Sequence, residues 1–247
     1  MKIGAKTDIG HYRKVNEDSF FTYKNEKIIG GMVADGMGGH NAGDIASKMA
    51  SDLIKSGIMN RYYPKMDYMQ FSDSVKIAIV SANEDIYRKA KVDMNASGMG
   101  TTVAAAFVYD GKLITANVGD SRVYAIKDDE ITQITKDHSY VEELVEQGKI
   151  TKDDAQTHPQ KNLITRAVGT EAFVQVDMTM STYNDEIILI CSDGLSNLVS
   201  EEQMIRIVNE FDDYEKACCE LVDLANKKGG MDNITCVIFD KRKDEER

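Results

Sequence analysis

Four aspartates share one context in this chain. Asp35, Asp120, Asp193 and Asp232 each stand within two residues of a glycine, where an apolar run begins or ends. Any one of them alone reads as a turn residue, because Asp is common in turns and breaks strands. Together they point further. A carboxylate pressed against a core strand loses hydration, and something must offset that loss. Two or three such strand ends converging on one rim would repel one another unless cations lay between them. Mg²⁺ and Mn²⁺ favour carboxylate, carbonyl and water oxygens, so the set could support a divalent-metal site.

The densest stretch is Val33-Ala34-Asp35-Gly36-Met37-Gly38-Gly39-His40. The apolar run 28–34 is expected to be a buried strand that stops at Asp35, with a helix starting near Asn41. The glycines between them would let another body approach the backbone closely. A second block, Arg13-Lys14-Val15-Asn16-Glu17-Asp18, sets a cation beside two acids just before a strand. Arg13 could grip a phosphoryl group through a bidentate fork. Glu17 and Asp18 could hold metal-bound waters, the alternative being a solvated charge cluster.

The elements that must position these residues follow from periodicity. Strands are expected at 2–7 and 19–23, the latter in a hairpin with the strand entering Asp35. A helix carries Ile45, Met49, Leu53 and Ile54 and stops at Gly57; Ser72 caps a longer one with the stripe Val75, Ile79, Ala82 and Ile86. Runs at 101–109, 112–118, 122–126 and 130–134, joined by tight turns such as Asp110-Gly111, read as an antiparallel meander. Ser139 and Glu142 open a short helix closing at Gly148, and polar, irregular sequence continues to Asn162. Strands at 173–180 and 186–192 turn at Asn184-Asp185. Ser200 and Gln203 open helices reaching about Lys228, broken near Asp212, and 234–239 is the last strand. The expected fold is α+β, a four-layer αββα sandwich with two antiparallel sheets face to face and helices outside. One domain spans 1–240, and 241–247 is a charged tail.

Composition narrows the function classes. The 247 residues are 42% hydrophobic with only 2 prolines, enough for a sizeable core. A formal net charge of -11, from 41 acidic and 30 basic residues, argues against a general binder of nucleic-acid backbones. The 4 cysteines, Cys191, Cys218, Cys219 and Cys236, contain no C-x-x-C pair and read as reduced thiols. The N-terminus lacks a signal peptide's apolar region, and no run approaches the ~20 residues of a spanning helix. A soluble, cytoplasmic protein is expected.

Eight blocks occur in order along nearly the whole chain. They are the Arg13 to Asp18 block, Asp35-Gly36-Met37-Gly38-Gly39, Gly100-Thr101-Thr102, Asn117-Val118-Gly119-Asp120-Ser121-Arg122, Asp137-His138-Ser139, Thr165-Arg166-Ala167-Val168-Gly169, Ser192-Asp193-Gly194-Leu195 and Asp232-Asn233-Ile234-Thr235. This set resembles the metal-dependent protein phosphatase family, the type 2C serine/threonine phosphatases, and most of all its compact bacterial members. The resemblance implies a β-sandwich flanked by helices, with Mn²⁺ or Mg²⁺ at one end. It implies hydrolysis of phosphoserine and phosphothreonine in proteins by a water bridging two cations. By position, Asp35 would bridge both ions, the Gly36 carbonyl would bind one, and Asp193 and Asp232 would ligate the other. Asp120, with Asp193, would hold a weaker third ion. Arg13 would bind the substrate phosphate, Glu17 and Asp18 would act through water, and 138–166 would form a mobile flap subdomain beside the cleft. The expected partners are phosphorylated proteins, a serine/threonine kinase among them, with no nucleic acid or membrane and a monomeric chain.

One position departs from the pattern. Several eukaryotic members carry a histidine, proposed as general acid, where Met37 stands here, and Met37 cannot donate a proton. A metal-bound water is the expected substitute, and His40 reads rather as a helix-start group. Cys236 and Arg242 match the C-x5-R spacing of cysteine-dependent phosphatases, but a strand pattern without glycines lies between them. Asn41 falls where the third glycine of a dinucleotide fingerprint belongs. A catalytically silent binding module of the same fold, and a phosphatase of small phosphoesters, stand as alternatives.

Overall fold

The computed structural model describes residues 1–38 and 42–241. The chain begins with β1 (Lys2–Asp8), β2 (Asp18–Lys24), β3 (Ile29–Met37), α1 (Gly43–Arg61) and α2 (Tyr68–Val92). There follow β4 (Gly100–Thr101), β5 (Val103–Tyr109), β6 (Lys112–Val118), β7 (Arg122–Lys127), β8 (Glu130–Gln133), α3 (Tyr140–Glu146) and α4 (Lys152–Thr157). The remainder is β9 (Asp177–Thr182), β10 (Ile187–Cys191), α5 (Asp193–Ser196), α6 (Glu201–Glu210), α7 (Tyr214–Lys227) and β11 (Ile234–Asp240).

The strands form two antiparallel sheets. One has the order β1-β11-β10-β7-β8; the other runs β2-β3-β5-β6-β9, with β4 paired to the end of β3. Because side chains alternate along a strand, each sheet has two apolar faces to bury. Ile29, Val33, Ala104 and Ala106 meet Val123, Ile188, Ile190 and Val237 between the sheets. The outer face of the β3 sheet, with Met32, Ala105 and Phe107, packs on Ile54, Phe71, Val75 and Ile79 of α1 and α2. The other outer face, with Tyr124, Leu189 and Ile238, packs on Met204, Ile207 and Leu221 of α6 and α7. Each of the Val, Leu, Ile, Phe and Met side chains among these contributes roughly 1.5–3 kcal/mol on full burial. The α-β-β-α layering matches the expectation from sequence.

Several local expectations need correction. β3 does not stop at Asp35 but continues to Met37, because Gly36 and Met37 find pairing partners in Thr101 and Gly100. Gly57 does not end α1; it faces α2, where an added Cβ would stand 3.0 Å from Ala78 Cβ. α2 is capped by Asp67, in a reciprocal box with Gln70, and Ser72 is buried inside the helix. The supposed meander is split, since β5 and β6 belong to one sheet and β7 and β8 to the other. The 119–121 turn therefore crosses between sheets. β9 and β10 likewise lie in different sheets, and β9 begins at Asp177, leaving Phe173 89% exposed. The stretch expected to be irregular holds α4, capped by a Thr151–Asp154 box. Gly39, His40, Asn41 and 242–247, with Arg242, lie outside the described residues. Cys191, Cys218 and Cys236 are buried free thiols and Cys219 an exposed one. Among the described residues, no helix is long and apolar enough to cross a membrane.

Candidate metal centre

Strand register brings the acidic residues together. In the β2–β3 hairpin Asp18 lies opposite Asp35. In the other sheet Cys191 pairs with both Arg122 and Cys236, so Asp193 leaves that sheet at the same end as Asp120 and Asp232. Hydroxyls tie the two sheet ends to each other. Ser192 Oγ donates to Asp18 Oδ2 (2.8 Å) and accepts from Thr235 N (3.0 Å). Thr102 Oγ1 accepts from Asp35 N (2.9 Å) and shares a hydrogen bond with Ser121 Oγ (2.7 Å). The Asp35 carbonyl accepts from Thr102 N (2.8 Å) and Thr101 Oγ1 (2.9 Å).

The charges at this end are unbalanced. Burial pushes the Asp35 carboxyl well above the usual range, with the charges of Asp18, Asp193, Asp120 and Asp232 adding to it. Burial likewise raises Asp18 to about 7, again with Asp193 and Asp232 contributing. Asp120 is pushed up to about 7 by burial and by Asp193 and Asp137. Burial, then Asp232, raises Asp193. Asp18 Oδ1 and Asp193 Oδ1 are buried without a hydrogen-bond partner among the described residues, an arrangement folded proteins generally avoid. Crowded hard oxygens with unused lone pairs fit a divalent cation such as Mg²⁺ or Mn²⁺.

Among the described residues, no three acidic, imidazole or thiolate groups already stand at the spacing of a closed cage. The acids are partly engaged by protein donors: Asp232 Oδ2 accepts from Arg13 Nη2 (2.8 Å) and Asp193 Oδ2 from Asn197 Nδ2 (3.0 Å). Arg13, the expected phosphate ligand, thus stands half-exposed beside Asp232, with Nη1 3.9 Å from Glu17 Oε2. The Glu17 carboxyl lies beside Gly43; burial raises it, and the Gly43 backbone and Arg13 oppose that rise. Ala42, at the N-cap of α1, makes no side-chain cap hydrogen bond, and Glu17 stands next to that helix start. Gly36 N donates to the Glu17 carbonyl (3.0 Å), and a Cβ on Gly36 would lie 2.1 Å from the Gly43 carbonyl oxygen. Glycine is required there by close approach. Met37 lines a cleft with Ile164, Arg166, Thr170 and Phe173.

Sequence reasoning assigned no role to several residues that build this end. Asn233 fastens the 9–17 loop, accepting from Glu17 N (2.8 Å) and donating to the carbonyls of Ile9 (2.9 Å) and Val15 (3.1 Å). Arg122 forks onto Asp137, with Nη2 2.7 Å from Oδ2. Burial pushes the His138 imidazole below its usual range, opposed by its hydrogen bond to Asp177. Their blocks were visible in order, but partner choices across such separations leave no periodic signal.

The arrangement defines an α-β-β-α sandwich protein with an acidic cluster where the strand ends meet. The particular family follows from comparison: the model of the Protein phosphatase 2C family matches residues 6–234, and the chain belongs to that family. The serine/threonine phosphatase stp of Listeria innocua is 38% identical over 98% of this chain and 96% of its own length. A crystal structure of a bacterial serine phosphatase superposes with a TM-score of 0.91 at 34% identity, covering 99% of both chains. The catalytic domain of the serine/threonine protein phosphatase PstP, in complex with 2 manganese ions, superposes at 0.78 with 32% identity over 96% of each chain.

Proposed function

We propose that this chain hydrolyses phosphoserine and phosphothreonine in proteins, with Mn²⁺ or Mg²⁺ as cofactor. The observation that carries the reading is the gathering of Asp18, Asp35, Asp120, Asp193 and Asp232 at one end of the sandwich. Asp18 lies opposite Asp35, and buried oxygens of Asp18 and Asp193 have no hydrogen-bond partner among the described residues. Burial first, and neighbouring acids second, raise Asp18, Asp35, Asp120 and Asp193. Asp35, the Gly36 carbonyl, Asp193 and Asp232 would hold two core ions, and Asp120 with Asp193 would hold a weaker third. When bound, these ions supply a water of lowered pKa and a clamp on the phosphoryl oxygens. Arg13, steadied by Asp232, orients the phosphate through its remaining N–H donors. Asp18 keeps Ser192 in place behind the ligands, and Glu17 fixes the start of α1 against Gly36. Met37 holds no proton to give, so the leaving oxygen takes its proton from solvent.

The segment 138–166 is the flap bordering the cleft. Substrates are phosphorylated proteins, a serine/threonine kinase among them, and the chain acts as a cytoplasmic monomer; its free buried thiols suit a reducing compartment. Asp193→Asn and Asp232→Asn are expected to abolish Mn²⁺-dependent turnover of a phosphopeptide while circular dichroism stays unchanged. Undiminished turnover in both variants overturns the reading. Faster turnover of nucleotides than of phosphopeptides would replace proteins by small phosphoesters as substrates.

A further inference from the structure

His138 stands where the 138–166 excursion leaves the sheets and returns to them. Its amide donates to the Gly119 carbonyl (2.9 Å), its own carbonyl accepts from Thr165 N (2.8 Å), and Ser139 bridges to Ile164. Backbone pairing alone would close the excursion. The imidazole, 7% exposed, does something in addition. Gly119 N donates to its Nδ1 at 3.0 Å. An amide can only donate, so Nδ1 is the acceptor in this bond, while Nε2 stands 3.0 Å from both Asp177 Oδ2 and Arg166 Nη1. Asp177 is held in turn by Arg166 Nη1 on Oδ1 (2.7 Å), and pairs with Asn117 at the end of β6.

Gly119 is therefore held by His138 at both its amide and its carbonyl. Its carbonyl also accepts from Asn117 Nδ2 (3.1 Å). Its φ of +106° is one that side-chain-bearing residues rarely adopt, and a Cβ would lie 2.6 Å from Thr102 Cγ2. The next residue is Asp120. Ser121 after it is bonded to Thr102, the same hydroxyl that takes the Asp35 amide. The turn bearing Asp120 is thus anchored on one flank by His138 and on the other through Thr102 to the strand of Asp35.

We propose that His138 is a positioning residue: by accepting the Gly119 amide on Nδ1 while Nε2 is lodged against Asp177 and Arg166, its imidazole aims the Asp120 carboxylate into the acidic cluster and sets how tightly that cluster holds a divalent cation. The proposal rests on the function proposed above and adds a residue outside the ligand set. Groups that orient ligands typically change metal affinity about 10–100-fold when removed.

Mn²⁺ binding to the full chain by isothermal titration calorimetry tests it. His138→Leu is expected to weaken the weaker Mn²⁺ phase about 10–100-fold while melting stays cooperative. His138→Asn, whose side-chain oxygen can reach the Gly119 amide, is expected to recover most of that loss. In an Asp120→Asn background, His138→Leu should cost nothing further, since it acts through Asp120. A wild-type isotherm for His138→Leu, no recovery in His138→Asn, or full additivity with Asp120→Asn overturns the proposal. Should His138→Leu fail to fold, amide hydrogen exchange decides: Gly119 protected in both wild type and His138→Asn supports the tether, and exchange as fast as an open loop overturns it. A wild-type chain that binds no Mn²⁺ overturns the proposed function instead, leaving the Gly119 exchange result to judge the tether.

Discussion

Asp18 and Asp35 face each other across the first hairpin as register partners, and burial raises both carboxyls above their usual range. Two acids placed opposite each other in a dry hairpin weaken the metal-free fold unless they hold a proton or a cation. Loss of apo stability is the cost of a preformed cation site.

Asp18→Asn removes one of the facing charges while keeping an oxygen able to accept from Ser192. The metal-free protein is expected to melt higher by a few degrees, since about 1 kcal/mol shifts a domain of this size by roughly 2–4 °C. The rise produced by Mn²⁺ should shrink. Scanning calorimetry in chelator and in Mn²⁺ measures both, and an unchanged or lower metal-free melting temperature would refute the argument.

The pH dependence has a definite sign. Asp18 and Asp120 are raised to about 7 in the folded chain, against about 3.9 for an unfolded Asp. Between these values the folded state binds more protons than the unfolded one, so stability falls as pH rises. Their contribution is therefore fully present below about pH 4 and lost by about pH 7 to 8. Metal binding must displace those protons, so Mn²⁺ affinity should rise over the same window. Denaturant titrations of the metal-free chain at pH 5 and 8, with calorimetric Mn²⁺ titrations at each, check both trends.

Gly36→Ala would set a methyl group against the Gly43 and Glu17 carbonyl oxygens. Those atoms belong to the start of α1 and to the loop bearing Arg13, so neither yields freely. A loss of about 1–3 kcal/mol in stability is expected from overpacking, with weaker Mn²⁺ binding because the Gly36 carbonyl shifts. Urea denaturation with wild-type stability would show that the approach is looser than the distances imply.

Arg13→Ala removes a guanidinium from the substrate side and from Asp232 at once. Charge-assisted hydrogen bonds contribute about 1.5–3 kcal/mol, so kcat/KM for a phosphopeptide should fall roughly 10–100-fold. Mn²⁺ affinity should hold or improve, because Asp232 loses a competing cation. Steady-state kinetics with parallel metal titration separates the two effects; weakened Mn²⁺ binding would mean that Arg13 acts on the metal site and not on phosphate.

By itself, the sequence determined where most strands run, that the Val75, Ile79, Ala82 and Ile86 stripe of α2 faces inward, and that an acid stands beside each of several strand ends. The buried face of α1, by contrast, is Ala46, Ala50, Ile54 and Ile58, which leaves Ile45, Met49 and Leu53 half-buried. Alternation and helical spacing are local, and burying every apolar face left the layered sandwich as the consistent arrangement. Only the tertiary structure decided that 112–118 and 122–127 lie in different sheets, that Glu17 lies beside the start of α1, and that Arg13 finds Asp232 at a separation of 219 residues. A period of two tells a strand which side faces the core but not which strand will lie beside it. Side-chain partners at turns follow no period at all, so the Gly119–His138–Asp177 connection exists only once the sheets have closed.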